Sequence, residues 1–160
     1  MEKLLKIPYA VFNNWHLLQQ FLDRRGNPRY ELIGDVNLYG REDIIDLGNL
    51  EYVNGTLYLT HSSIESLGNL KYVAGDLFLH NTPIQSLGNL VQVDGYLTLH
   101  NTPINSLGNL QYVGSYLNLY ETPIKSLGNL NYVGDRIVLS SDHQIPPEQL
   151  TKFKDQIKYY

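Results

Sequence analysis

Gly75-Asp-Leu-Phe-Leu-His-Asn-Thr-Pro-Ile-Gln-Ser-Leu-Gly-Asn-Leu-Val-Gln-Val-Asp94 is one unit of a pattern that returns every 20 residues. Its tetrapeptide Leu-Gly-Asn-Leu occurs five times, at Leu47–Leu50, Leu67–Leu70, Leu87–Leu90, Leu107–Leu110 and Leu127–Leu130. Self-similarity at a fixed period of this length marks a solenoid, in which each repeat is one coil stacked on the next. Each repeat position thereby becomes a column running along the molecule.

The apolar columns come first. In the quoted unit they are Leu77, Leu79, Ile84, Leu87, Leu90 and Val93, and the coils on either side repeat them. Leu77 and Leu79 alternate with Asp76, Phe78 and His80. That period of two is the signature of a strand with one buried face. Stacked coil on coil, such strands form a parallel sheet with a spacing of about 4.8 Å. Gly68, Gly88, Gly108 and Gly128 fit a turn with positive φ, and Pro83, Pro103 and Pro123 mark the strand ends because proline cannot donate to a ladder. No helical spacing of apolar residues fits between these markers, so the rest of each coil is expected as extended segments and turns.

The polar columns are expected to hold the coils together. Asn49, Asn69, Asn89, Asn109 and Asn129 form one ladder, and Ser62, Thr82, Thr102 and Thr122 another. Both are expected to satisfy turn backbone groups in adjacent coils, which burial would otherwise orphan. Tyr52, Tyr72, Tyr112 and Tyr132, with Gln92 interrupting, recur with the repeat and read as a stacked structural ladder.

A solenoid exposes its core at both ends and needs caps. Asn13 or Asn14 can cap a helix running to about Arg25, with Gly26 beyond it and Trp15, Leu18, Phe21 and Leu22 on one face. Arg24, Arg25 and Arg29 are expected to complement the helix C-terminus; phosphate or an acidic partner is the other reading. The first coil carries one extra residue near Gly40–Asp43, as an atypical edge coil would. From Pro146 the chain reads as a short helix with Leu150, Phe153 and Ile157 as its apolar face. The division is a helical cap over residues 1–33, a solenoid of about six coils over 34–141, and a C-terminal cap over 142–160. The fold class is a mainly β, right-handed parallel β-solenoid, one structural domain.

Composition narrows the function. Hydrophobic content of 42% with 18% charged residues is globular, and a net charge of −4 does not support a direct nucleic-acid ligand. There is no cysteine, which removes disulfides and thiolate metal sites and favours an intracellular setting. The N-terminal Met1-Glu-Lys-Leu-Leu-Lys-Ile-Pro lacks the apolar core of a signal peptide, and no apolar run reaches the roughly 18 residues of a membrane span. No nucleophile elbow, phosphate-binding glycine loop or His-Glu-x-x-His pattern is present, so no enzyme and no cofactor are expected.

The phrases Leu-x-Leu-x-x-Thr/Asn-x-Ile and Ser-Leu-Gly-Asn-Leu-x-Tyr-Val-x-Gly-x-Leu-x-Leu carry a resemblance. Over residues 34–141 the chain resembles short leucine-rich repeats and the L-domain-like solenoids. These include the ligand-binding lobes of growth-factor receptors and similar repeat proteins of bacteria and phages. The resemblance implies a binding module of bacterial or phage origin, cytoplasmic, in the host cytoplasm if viral.

Binding is expected on the outward strand positions, which the repeat leaves free. One column runs Asn37, Tyr58, Phe78, Thr98, Asn118, Val138, and the next Tyr39, Thr60, His80, His100, Tyr120, Ser140; Tyr96 and Tyr116 stand in a third. Aromatic groups with polar tips are enriched at interfaces. The candidate partner-binding set is therefore Tyr39, Tyr58, Phe78, His80, Tyr96, His100, Tyr116 and Tyr120. The bland reading is that cross-strand stacking merely stabilises the sheet. His80 and His100, about 5 Å apart by strand spacing, could share a metal ion with His61 or Glu121 nearby, or sense pH, but no third ligand is assured and no metal is expected. The expected function is a non-enzymatic protein-binding module, a phage or bacterial factor that blocks a host defence protein. The alternatives are a glycan-binding or virion-surface component and a purely structural repeat protein.

Overall fold

The computed structural model describes residues 3–160; residues 1–2, which open both the 1–33 cap and the N-terminal segment read above, lie outside the described residues. The chain begins with strand β1 (Leu5–Pro8), helix α1 (Trp15–Asp23), β2 (Tyr30–Ile33), β3 (Val36–Asn37) and β4 (Leu50–Asn54). The repeats then alternate β5 (Leu57–Tyr58), β6 (Tyr72–Val73), β7 (Leu77–Phe78), β8 (Gln92–Val93), β9 (Leu97–Thr98) and β10 (Tyr112–Val113). They close with β11 (Leu117–Leu119), β12 (Tyr132–Val133), β13 (Ile137–Leu139), α2 (Pro147–Leu150) and β14 (Ile157–Tyr159).

These strands form two all-parallel, seven-stranded sheets, a β-solenoid of about six turns with coils of about 20 residues. Sheet A runs β1-β2-β4-β6-β8-β10-β12, and sheet B runs β3-β5-β7-β9-β11-β13-β14. The alternation at Leu77 and Leu79 announces sheet B only. The Tyr column belongs to a second sheet, in which Tyr72 pairs with Tyr52 and Gln92. From β6 onward its strands are only two residues long between turns, too short to show an alternation of their own.

Between the sheets lies one continuous core. Leu77, Leu79, Ile84, Leu90 and Val93 are fully buried, as are their counterparts in the next coil. Gly48, Gly68, Gly88, Gly108 and Gly128 all hold φ between 54° and 59°, a conformation that costs glycine nothing. The seryl oxygen two residues earlier accepts each of the last four N–H groups at 3.0–3.1 Å. Gly75 is glycine for another reason: a Cβ there would stand 2.8 Å from the Gly55 carbonyl of the coil below.

The two polar ladders bond differently from each other. Asn89 and Asn109 donate to Gly68 and Gly88 carbonyls one coil back, at 3.2 and 3.0 Å, as expected. The Ser62, Thr82, Thr102 and Thr122 hydroxyls instead donate within their own coil, to the carbonyl three residues earlier, at 2.6–2.7 Å. A one-carbon hydroxyl at a strand end meets its own chain before it can span to the next coil.

The caps use one device in opposite senses. Asn14 caps α1 by accepting from the Leu17 N–H at 3.0 Å, and Trp15, Leu18 and Leu22 enter the core. Helix α1 stands between β1 and β2, where every later coil places a strand of sheet B. At the far end α2 stands between β13 and β14, where a strand of sheet A would follow. Phe21 packs half-buried against the core as expected and also meets Phe12, ring centroids 5.0 Å apart. Two expectations change here. Arg29 turns from the helix terminus to Glu51, 3.0 Å away. Ile157 lies on a strand, paired with Ile137, because a 20-residue step from β13 satisfies its backbone better than an exposed helical turn.

Candidate interaction surface

Strand alternation puts three outward side chains on each coil of sheet B. They are Asp76, Phe78 and His80 in one coil, and Tyr96, Thr98 and His100 in the next. The structure gathers the candidate residues into three clusters.

At the centre, Tyr58 and Phe78 stack with centroids 5.3 Å apart and planes at 20°. Phe78 meets His80 edge-on at 6.5 Å, and His80 stacks on His100 at 4.3 Å and 14°. His61 continues the cluster, 6.3 Å from His80 and 5.6 Å from Tyr39. A second cluster is Tyr96 against Tyr116 at 6.0 Å, with the Arg136 guanidinium 5.3 Å from the Tyr116 ring. In the third, Tyr120 meets Tyr160 at 6.4 Å across the small side chain of Ser140.

The imidazole pair is supported from below. His80 Nδ1 lies 3.3 Å from Thr60 Oγ and 3.0 Å from Thr98 Oγ, and both threonines are buried. His100 Nδ1 lies 3.4 Å from the Asn118 amide nitrogen. Burial pushes the His80 pKa below its ordinary value, and the neighbouring His100 and His61 push the same way. Burial lowers His100 too, against the opposing charge of Glu121. Two neutral rings in contact are the arrangement this favours, since two imidazolium ions at 4.3 Å would repel. Stacking sets the rings face to face, so their nitrogens do not converge on one point. Among the described residues no group of three His, Cys, Asp or Glu side chains is placed to hold a metal ion.

Outward does not always mean exposed. Tyr39 and Tyr96 stand 60% and 46% exposed, whereas Thr98 and Val138 are buried under their taller neighbours. Sequence reasoning placed Thr60 and Thr98 in the outward columns but gave them no role, missed Arg136 and Tyr160 as parts of this face, and took His61 only as a neighbour. Tyr160 had a signal: it lies 20 residues beyond Ser140, in the same column.

His61 and Glu121 share a left-handed corner with Gly40, Asn81 and Asn101, at φ of 58° and 54°. Glycine tolerates that conformation freely, asparagine and histidine adopt it more readily than most side chains, and glutamate does so at a cost. His61 and Glu121 stand at the rim of the His80–His100 stack.

Compared with family models, curated proteins and solved structures, the chain finds no match among them. No helix among the described residues is long and apolar enough to cross a membrane.

Proposed function

We propose that the chain is a non-enzymatic protein-binding module that uses the outward face of sheet B. The observation that carries this is the continuous ring contact Tyr58–Phe78–His80–His100, with His61 and Tyr39, at positions the repeat does not prescribe. Repeat proteins bind through such sheet faces, and Tyr, Phe and His supply contact area with few rotatable bonds. The rings are already held by each other and by buried threonines. Little side-chain entropy is then lost on docking, which favours affinity. The resemblance to bacterial and phage repeat proteins extends the proposal: the partner is a cytoplasmic host protein, a defence factor whose working surface the module covers.

The test is capture from host lysate by wild type, by a Tyr58/Phe78/His80/His100→Ala variant and by Tyr132→Ala on sheet A. Capture lost only in the fourfold variant supports the reading, with a weakening of about 30-fold or more for a hot-spot cluster. A partner held equally by all three sinks it. Retention on a polysaccharide matrix with no protein captured replaces it with the glycan reading.

A further inference from the structure

A cap helix needs one apolar face, and α1 carries apolar side chains beyond it. Trp15, Leu18 and Leu22 enter the core. Beside them Leu17, Gln20, Phe21, Arg24 and Arg25 form a second strip, spaced i, i+3, i+4, i+7 and i+8, in which Phe21 is half-buried against the core and the other four are exposed. Leu17 is 51% exposed, and Val11, in the turn leading to the helix, 72%. With Phe12 these five side chains line one open groove. Arg25 lays its guanidinium over Phe21, 3.8 Å from the ring centroid, which leaves its N–H edge free.

The charges at this groove are unbalanced. Arg29, Arg41 and Arg136 each have a carboxylate within 4.0 Å, whereas Arg24 and Arg25 have none among the described residues. They stand beside the C-terminus of α1, where cations are favourable, and that accounts for their charge. It does not account for Leu17 and Val11 in water. An apolar groove closed at one end by two free guanidinium groups is complementary to an apolar side chain flanked by carboxylates.

We propose that this groove is a second docking site, for an acidic amphipathic helix of a partner protein. Its apolar anchor fills the space between Leu17 and the Phe12–Phe21 pair, and its carboxylates pair with Arg24 and Arg25. A helix is the fitting occupant because the strip is itself one helix face, against which another packs at 8–10 Å. An anionic membrane fits worse: the helix has nine residues with only Arg24 and Arg25 just beyond its end, on a chain of net charge −4 that such a surface repels. The site stands at the N-terminal cap and does not depend on the sheet B proposal.

The probe is a fluorescent, stapled helical peptide of about three turns, with Trp and Leu on one face and Glu one turn beyond. A twin carries Lys for Glu, and vesicles of phosphatidylcholine and phosphatidylserine form a separate arm. Wild type should bind the Glu peptide at least about tenfold more tightly than the Lys twin. Leu17→Ser should weaken the Glu peptide by about tenfold or more. Arg24→Glu with Arg25→Glu should reverse the preference, binding the Lys twin instead. The Tyr58/Phe78/His80/His100→Ala variant should bind as wild type does. Unchanged melting of each variant shows that its fold is intact. Equal binding of both peptides, no binding of the Glu peptide at millimolar concentration, or vesicle binding in place of peptide binding would each overturn the proposal.

Discussion

Sheets A and B share one core and one period, yet their outward faces are built on different logic. On sheet A the residue type recurs. Tyr112 and Tyr132 stack at 4.8 Å, Tyr52 and Tyr72 meet at 5.9 Å, and within the repeats the column breaks only at Gln92. There Gln92 donates to Asp94 at 2.7 Å, and the Tyr72 hydroxyl donates to the same carboxylate. The N-terminal end of that sheet is closed by ion pairs, Glu51 lying 3.0 Å from Arg29 and 3.2 Å from Lys71. On sheet B the side chains change from coil to coil and still touch. A column that recurs and bonds to its own repeats is answered within the chain. A column that varies, and keeps half-exposed rings in contact, has surface left for something else.

The largest effect should come from breaking what both sheets share. Gly75→Ala presses a methyl group into the Gly55 carbonyl and should destabilise the protein by about 2–3 kcal/mol, read by urea denaturation. Stability unchanged by that substitution would show that the coils can move apart.

Next comes sheet A alone. Tyr72→Phe removes the hydroxyl that donates to Asp94 and should cost about 1 kcal/mol while leaving partner capture intact. Asp94 also pushes the Tyr72 pKa up to about 12, from the ordinary 10.0 of a tyrosine. The folded state thus favours the neutral phenol. This contribution is complete below pH 10 and fades as pH rises from 10 towards 12, and Tyr72→Phe should abolish that alkaline loss.

Sheet B should show a smaller effect, and at the acid end. His80 and His100 both fold with pKa values below the ordinary 6.5, so below that pH the unfolded chain takes up protons first. Their contribution is complete above 6.5 and is lost as pH falls through the lowered folded values. Denaturation at about pH 7 and about pH 5 should show a drop in wild type that shrinks in a His80→Gln/His100→Gln variant. Solvent screening at these half-exposed rings keeps the drop modest. An equal drop in both proteins would mean that the stack does not sense pH.

The smallest effect has the opposite sign. Glu121→Asn matches the corner residue of the two preceding coils and should stabilise by about 0.5–1 kcal/mol, as a rise in melting temperature.

The coil was legible because its signals agree. Leu77, Leu79, Ile84 and Val93 repeat at a fixed spacing, and glycine and proline punctuate each turn. The ends were less so, since their local patterns imitate something else. Leu150, Phe153 and Ile157 fall at helical spacing, but Ile157 also falls 20 residues after Ile137, and the sheet won. Strands β1 and β2 lie outside the repeat. Tyr30 is buried there with only a 3.3 Å bond from Gln19, which no spacing announces. On the candidate surface the residue list was legible and its grouping was not. Tyr39 reaches the central cluster through His61 rather than through Tyr58, and Thr98 lies beneath its neighbours because a short side chain between tall ones is covered.

The caps terminate one sheet each, α1 standing in for a strand of sheet B and α2 for a strand of sheet A. Each cap therefore reads only the coil next to it and is blind to how many lie between. Recombination between the 20-residue segments, which share one pattern, can add or delete a coil and leave both ends seated. Such a lineage would change length in steps of about 4.8 Å, sliding the ring clusters of sheet B past one another like marks on a vernier and so retargeting the face without a single substitution.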